Sequence, residues 1–447
     1  MKTIIARNFV LLLSLIFIGV ACDNSSDSDN GDAATIQGRV ENTSSSDTTN
    51  TDTTQARFKT VEDAAVVVTR VQSNGSLEVI SDSAVTTNAE GEFSLRVDAD
   101  AISGASDQLV VQAEKEGETA KAFVTPQVET GTTVLVQPIT FESSAEANVY
   151  QQLIAGGNAE SVEKADIEAY VITEVALDIE SDSALAANLA SALVARAAAN
   201  TEFYTTLGVE VSEEQRDEIR RIKLDAQTEL ENRLYASAGE EGNVAAFDDF
   251  IETIARVDMD AGVNATAAAK ASKGSSIVLL NQSAAFSADA QAELRQRTAL
   301  MFTFPLSEAV QEQLDFAGAS EDAINSAADA AVTLRTNIRS MNNPSEEELN
   351  ATFAAYNEAV VNIVQNEFDT NGQLFAVANA TINENGGARS SLEATLQGVV
   401  TVPEVIDAYT QFYGEVESVV DDTFQSAVDA ELSTYFTELL ILINLAS

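Results

Sequence analysis

Histidine and tryptophan are absent from this chain, and Cys22 is its only cysteine. A Ser-His-Asp triad, a Cys-His pair and a zinc site with histidine or cysteine ligands therefore cannot be built from its side chains. The missing tryptophan also removes the usual stacking platform for sugars. Carboxylate pairs, Ser-Lys dyads, tyrosine and hard metal ions such as calcium remain for chemistry. This depleted inventory predicts a protein without catalytic residues and without a cofactor.

Basic residues are also few. The chain has 24 lysines and arginines against 71 aspartates and glutamates, which gives a formal net charge of −47. A field of this sign repels the phosphates of nucleic acids and the anionic heads of lipids, so the charge argues against nucleic-acid binding. The same self-repulsion lowers stability at low ionic strength and is screened at high salt. The composition resembles that of proteins from salt-loving bacteria, which predicts halophilic behaviour.

The N-terminus resembles the signal of a bacterial lipoprotein. Lys2 and Arg7 precede an apolar run over 9–20, which is typical of a secretory signal and too short to span a membrane. The following residues Gly-Val-Ala-Cys resemble a lipobox, with Gly19 standing where that family usually has Leu, Ile or Val. The resemblance implies a signal peptide over 1–21 and lipid, such as palmitate, on Cys22. The alternative is a plain secretory signal with an unrelated cysteine.

The stretch 22–33 is expected to be a disordered acidic tether. Between Cys22 and the first strand it has four aspartates and almost no apolar residue, so it cannot pack. An acidic stretch after the lipid cysteine also resembles the surface-export signal of Bacteroidota lipoproteins, whereas in enterobacteria Asp23 would indicate retention in the inner membrane. We therefore expect a lipid anchor in the cell envelope, on the outer membrane or cell surface rather than the inner membrane.

Residues 34–140 have the alternation and turn signals of a β-sheet. Asn-Gly and Glu-Gly pairs separate short apolar stretches, and seven such strands are typical of a β-sandwich. The predicted strands cover 35–40, 64–71, 77–80, 92–97, 109–114, 120–125 and 132–138.

Three segments of this region resemble the carboxypeptidase regulatory-like, prealbumin-like family. These are the opening strand 36–40, the turn and strand 86–95, and the strand at 109–113. In the second segment Gly91 is expected to adopt a positive φ, with Phe93 and the leucine two residues later facing the core. The resemblance implies a non-catalytic spacer or accessory module.

An insertion over 41–56 interrupts the predicted sandwich and should be a mobile loop, since nearly all of it is Thr, Ser, Asp and Asn. Thr48 and Thr53 in this loop, together with Ser83 and Ser183, follow aspartates in a pattern that resembles the O-glycosylation sequon of Bacteroidota. They are glycosylation candidates. The alternative is a chance match in a chain rich in Asp, Ser, Thr and Ala.

From residue 143 to 447 the apolar period changes from two to about 3.6, which predicts a large all-α domain of helical-bundle type. Capping boxes begin predicted helices after Ser212 and Ser345. The overall fold class is therefore a multidomain β + α protein, in which a prealbumin-like β-sandwich precedes a helical bundle.

The last predicted helix opens at Pro403 and carries a long apolar series. Residues of this series are candidates for contact with a protein partner or a second copy, namely Tyr409, Val416 and Phe424. The alternative is ordinary core packing within the chain. The apolar tail 438–445 is too short to cross a bilayer, so it should be buried in the bundle or docked on another chain.

Metal ligands and catalytic carboxylates are harder to single out. Asp258, Asp260 and Asn264 are weak calcium candidates because oxygen ligands alternate beside a glycine, although a solvated helix end has the same pattern. With 71 acids, no carboxylate pair is informative. We therefore expect a membrane-anchored, non-enzymatic lipoprotein with a sandwich stalk and a helical partner-binding head. The alternatives are a carboxylate-based hydrolase of polysaccharide or peptidoglycan and an obligate subunit of an envelope complex.

Overall fold

Strands come first along the chain and helices follow. The computed structural model describes residues 33–41, 60–102, 108–125, 128–129, 131–236, 240–397, 399 and 401–445. The predicted signal peptide, Cys22 and the tether up to residue 32 lie outside the described residues, as do Thr48 and Thr53 in the insertion. The strands are β1 (Ala33–Arg39), β2 (Ala65–Val71), β3 (Leu77–Val79), β4 (Val85–Thr86), β5 (Glu92–Asp98), β6 (Leu109–Lys115), β7 (Glu118–Phe123) and β8 (Thr133–Leu135).

These strands form two sheets. The smaller sheet has the order β5-β1-β8, with β1 antiparallel to β5 and parallel to β8. The larger sheet has the antiparallel order β3-β2-β6-β7, and β4 also pairs with β2. Ile36 and Leu95 of the smaller sheet share one hydrophobic core with Val68 and Val111 of the larger sheet. All seven predicted strands are confirmed, whereas the two-residue β4 was not predicted.

The turn before β5 shows why the local sequence is informative. Gly91 has a φ of +75°, and a Cβ atom there would lie 2.6 Å from the Val40 carbonyl oxygen. Only glycine fits such a position without strain. Phe93 and Leu95 then alternate into the core, at 5% and 2% exposure, as predicted. By contrast, Glu41 is not part of a loop, because it bridges to Thr60 and is buried.

Fifteen helices are described. They are α1 (Ala99–Ile102), α2 (Phe141–Ala155), α3 (Lys164–Tyr170), α4 (Thr173–Ser181), α5 (Ala184–Thr206), α6 (Glu213–Ala236), α7 (Glu240–Asp260), α8 (Ala265–Gln282), α9 (Ala288–Phe316), α10 (Glu321–Ser340), α11 (Glu346–Glu367), α12 (Asp369–Asn383), α13 (Ala388–Leu396), α14 (Val402–Phe424) and α15 (Ala430–Leu445). The capping boxes predicted at Ser212 and Ser345 are both formed. Within the described ranges, no helix has both the length and the apolar character needed to cross a membrane.

The larger sheet is joined to the helical region through its outer face. Val71, Val110 and Phe123 point away from the sandwich core and belong to the core of the helical region. The Phe123 ring meets Tyr150 of α2 edge to face, with centroids 5.9 Å apart. Hydrogen bonds add to this contact, because the Ser143 hydroxyl donates to the carbonyl of Lys121 at 2.7 Å. The outer face of the larger sheet therefore packs against the helical region.

The predicted last helix is two helices. The chain turns between α14 and α15, where Gln425 has a φ of +45°. Tail residues from Leu439 to Leu445 are at most 1% exposed, which confirms burial within the chain's own core. The Asn444 amide at the end of α15 donates to the Asn379 side-chain oxygen at 2.9 Å and accepts from Asn357 at 3.1 Å. This amide network fixes the tail among its neighbouring helices.

Candidate binding site at the junction of sheet and helices

Three buried glutamates meet where α2, α3 and α6 approach the sheet. Glu146 on α2, Glu168 on α3 and Glu231 on α6 are 4%, 2% and 1% exposed. Each carboxyl interacts electrostatically with another of the three: Glu146 with Glu168, Glu168 with Glu231, and Glu231 with Glu146. We call this group the carboxylate trio. A group of buried acids in one place is uncommon, because carboxyl groups are seldom fully buried without a partner.

Helical periodicity places Glu231 in the interior. On α6, Gln227, Leu230, Glu231 and Leu234 are the buried positions, and they follow the spacing of one helix face. Glu168 is buried in the same way, because every residue of α3 after Lys164 is buried. The trio is thus a consequence of three helices that each turn one acidic residue toward the same point.

Hydrogen bonding leaves most of the trio unsatisfied. The Gln137 amide donates to Glu146 at 2.5 Å. Within the described residues, the carboxyl oxygens of Glu168 and Glu231 make no hydrogen bond of good geometry, nor do the Gln227 amide nitrogen and the Thr125 hydroxyl. Gln227 nevertheless lies close enough to Glu168, and Thr125 close enough to Glu231, to lower the pKa of these carboxyls. Buried polar atoms of native proteins are nearly always paired, and each unpaired atom costs about 1–3 kcal/mol. Burial of the trio therefore lowers the stability of the folded protein, and bound protons or a bound ligand would reduce this free-energy cost.

Burial and mutual repulsion raise the pKa of all three carboxyls. Loss of solvent is the main cause, and the neighbouring carboxyl adds to it at Glu146 and Glu168. The pKa of Glu231 rises to about 8, mainly through burial, although the polar side chain of Thr125 and the charge of Lys164 oppose the rise. A pKa of about 8 means that Glu231 is mostly protonated at neutral pH. The Lys164 amine also donates to the Val124 carbonyl at 2.6 Å.

A cavity of about 350 Å³ opens beside the trio, between the sheet and the helices. Glu146 and Glu168 form part of its wall, and we call it the junction cavity. Its charged wall residues are the acids Glu41, Glu142, Glu146, Glu168, Asp248 and Glu293 and the single base Arg297. Val171, Ile172 and Phe247 supply apolar surface. The wall is therefore strongly acidic and partly apolar.

Most acids of this wall already have partners. Glu41 pairs with Arg39, Glu142 accepts from the Thr173 hydroxyl at 2.9 Å, and Glu293 accepts from the Glu174 backbone at 2.8 Å. Glu168 differs, because both of its oxygens lack a hydrogen bond. It is thus the acceptor on the wall that a donor inside the cavity would satisfy.

The residues predicted as calcium ligands have other partners in the structure. Asp258 accepts hydrogen bonds from the Tyr204 hydroxyl at 2.6 Å and from Asn200 at 3.4 Å. Asp260 lies 3.9 Å from Arg256, and Asn264 caps α8 by accepting from the Ala267 backbone at 3.1 Å. Across the part of the chain that the structure describes, no group of three or more acidic side chains is arranged to hold a metal ion. The helix-end interpretation of this segment agrees with these contacts.

The other candidate residues divide into exposed and buried ones. Ser83 and Ser183 are exposed, so their modification stays a prediction. Tyr409, Val416 and Phe424 are at most 1% exposed and pack in the chain's own core, which leaves no free face for a partner there. The large apolar side chains that are exposed among the described residues lie on other elements: Val79, Leu224, Val244, Phe316, Val332 and Val377.

Comparison with known proteins adds no relative from which a function could be transferred. The chain matches no protein-family model, no curated protein and no solved structure among those searched. The function must therefore be argued from the geometry and charge of its own residues.

Proposed function

We propose that this chain is a lipid-anchored protein of the bacterial envelope that binds a small organic cation in the junction cavity, without catalysis. The observation that carries the proposal is Glu168, whose two carboxyl oxygens are buried on the cavity wall without a hydrogen bond. A donor with a positive charge would satisfy these oxygens and favour their ionised form.

The size and charge of the cavity support an organic ammonium ion. A volume of about 350 Å³ lies at the lower end of the range of about 300–1,000 Å³ for small-molecule pockets. Six acids against one base attract a cation, and the net charge of −47 steers cations toward the whole molecule. The apolar surface of Val171 and Phe247 suits a hydrocarbon spacer between charged groups. A short aliphatic diamine has this combination of features.

The N-terminal sequence supports a location in the bacterial envelope. The lipobox resemblance at Cys22 supports an anchor in the envelope, and the acidic stretch after it supports the outer membrane or cell surface. The two sheets with a shared core are compatible with a prealbumin-like sandwich, and the helices with a bundle. Because the larger sheet packs on α2, the β region and the helices together would form the ligand-binding part of the protein.

Calorimetry with 1,4-diaminobutane tests the proposal directly. The full chain should bind the diamine at neutral pH, and 1,4-butanediol, which has the same spacer without charge, should not compete. Burial raises the pKa of Glu146 and Glu168 on the wall, and a bound cation would lower it, so binding should release protons. The measured heat should therefore change with the ionisation heat of the buffer. Glu168→Gln should weaken binding at least tenfold.

Glu417→Gln is the matched control, since Glu417 is an exposed residue of α14 and carries the same charge. This variant should bind as the parent chain does. Equal binding by the Glu168 and Glu417 variants, or diamine binding without proton release, would contradict the proposed site.

A carboxylate-based hydrolase is the second candidate. It is favoured by one specific observation: Glu146 and Glu168 line the same cavity, and burial raises the pKa of both, as a general acid requires. The substrate would be a polysaccharide or peptidoglycan. Incubation with purified sacculi and with soluble polysaccharides should then release reducing ends, and Glu146→Gln or Glu168→Gln should abolish the release. Absence of release by the parent chain from any of these substrates would reject this candidate.

A further inference from the structure

A second cavity lies inside the helical region, between α8, α9 and α11. Its volume is about 460 Å³, and no residue lines both this cavity and the junction cavity. Two basic residues reach its wall, Lys273 from α8 and Arg295 from α9, so we call it the basic cavity. Glu346, an exposed residue in the first turn of α11, is the acid on the wall.

Both basic side chains lack an ionic partner. Among the described residues, Lys273 makes no hydrogen bond or ion pair, and its amine lies over the rings of Phe302 at 5.4 Å and Phe353 at 5.7 Å. Arg295 makes no ion pair in the same part of the chain, and its Nε atom is buried without a hydrogen bond. In a chain with 71 acids and 24 bases, two unpaired bases on one cavity wall require an explanation.

The charge of Lys273 is poorly compensated. Burial is the main cause that lowers its pKa to about 8; the charge of Arg389 adds to the effect, and Glu346 opposes it. The aromatic faces stabilise an ammonium ion only weakly compared with a carboxylate. An anion inside the cavity would provide the ionic partner that both basic side chains lack.

We infer that the basic cavity binds a small molecule with one carboxylate and an apolar body about the size of an aromatic ring. An ammonium and a guanidinium ion suit one carboxylate, because guanidinium binds carboxylates through two parallel hydrogen bonds. The Glu346 carboxylate on the same wall disfavours a more highly charged anion. The apolar body would lie against Phe302, Phe353 and Leu349, which are buried side chains of the wall.

Titration calorimetry with three fluorinated probes of one shape tests this inference. At physiological ionic strength the full chain should bind 4-fluorobenzoate, should bind 4-fluorobenzyl alcohol at least tenfold more weakly, and should not bind 4-fluorobenzylamine. Lys273→Met and Arg295→Gln should each weaken binding of 4-fluorobenzoate at least tenfold. Lys115→Met is the matched control, because it removes one lysine charge from strand β6, which contributes no residue to the cavity wall, and should leave binding unchanged.

The pH dependence distinguishes recognition by Lys273 from general attraction. The charged groups near this amine are Arg295 and Glu346 on the cavity wall and the neighbouring Arg389. Between pH 7 and 9.5, affinity for 4-fluorobenzoate should fall about 30-fold as Lys273 loses its proton. Lys273→Arg should keep its affinity over the same range. Equal binding of acid and alcohol, no binding of the acid, or full affinity in both Lys273→Met and Arg295→Gln would overturn the inference.

Discussion

Replacing Glu231 by glutamine should make the folded protein more stable at neutral and alkaline pH. Its pKa of about 8 in the folded state compares with about 4.3 for an unperturbed glutamate. The folded chain therefore keeps a proton at pH values where the unfolded chain has lost it, so stability falls as the pH rises from about 4.3 to about 8. Glutamine has the shape of the protonated acid and no charge to lose.

The size of the effect follows from the same linkage. At pH 7 the unfolded state gains about 1.4 kcal/mol for each of roughly 2.7 pH units above its pKa, so Glu231→Gln should raise the free energy of unfolding by about 4 kcal/mol. At pH 4.5 the gain should be close to zero. The new amide can also pair with Gln227, one helical turn away on α6, whose amide nitrogen lacks a hydrogen bond. At an unfolding entropy of about 2.1 cal/mol/K per residue over the roughly 300 residues of the helical region, this gain corresponds to a rise of about 6 °C in the thermal midpoint.

Circular dichroism at 222 nm against temperature, at pH 4.5, 7 and 8.5, measures the prediction. Glu229→Gln is the control on the same helix, because Glu229 is exposed and two residues away. The control should shift the midpoint little at any pH. Two results would refute a raised pKa of Glu231 in the folded state. One is a Glu231→Gln protein that is less stable than the parent at pH 8.5, and the other is an equal shift of the thermal midpoint at pH 4.5 and pH 8.5.

Three further changes test other parts of the account. Gly274→Ala should lower the free energy of unfolding by about 1–3 kcal/mol, because its Cβ would lie 2.1 Å from the buried Phe203 ring. Gly414→Ala should instead stabilise α14 by up to about 1 kcal/mol, because no atom lies within 4 Å of its Cβ. The urea midpoint of each variant measures the effect. Cys22→Ser should abolish labelling with an alkyne fatty acid in cells, and persistent label would show that the lipobox interpretation is wrong. Raising NaCl from about 0.15 M to about 1 M should raise the thermal midpoint, because screening shortens from about 8 Å to about 3 Å; an unchanged midpoint would mean that self-repulsion is not a major cost.

Local rules predicted the strands and the helix starts because those features depend on a few neighbouring residues. The turn at Gly91 and the capping box at Ser345 are both of this kind. The break at Gln425 was missed for a physical reason. Phe424 and Val428 keep the four-residue apolar spacing across it, so periodicity continues where the helix does not.

The candidate site could not be predicted from local rules. Glu146, Glu168 and Glu231 are far apart in the sequence and come together only through the packing of three helices. One signal was nevertheless present, because Glu231 stands between Leu230 and Leu234 on the apolar face of α6. Most single acids are uninformative in a chain that has 71 of them. An acidic residue on an apolar helix face is different, because it indicates a buried carboxyl and therefore a candidate site.

Contact between the sheet and the helices also had a signal in the sequence. β6 begins with Leu109, Val110 and Val111 in succession, and an unbroken apolar run is typical of a strand that is buried on both faces. The alternation seen elsewhere in the β region predicted a sandwich. In the structure Val111 faces the smaller sheet and Val110 faces the helical core. The three adjacent apolar residues of β6 therefore indicate that both faces of this strand are buried, one by the smaller sheet and the other by the helices.

The two cavities should respond in opposite directions to the same change of pH. As the pH rises through about 8, the Lys273 amine loses its charge, while Glu231, which interacts electrostatically with Glu168 on the junction wall, gains a negative charge. Binding of a carboxylate in the basic cavity should therefore weaken over the window in which binding of a diamine in the junction cavity strengthens. Partial unfolding would weaken the binding of both ligands. Affinities that change with pH in opposite directions in one protein sample therefore distinguish local titration from loss of structure. Lys273→Arg should flatten the first slope and leave the second unchanged, because the two cavities share no residue.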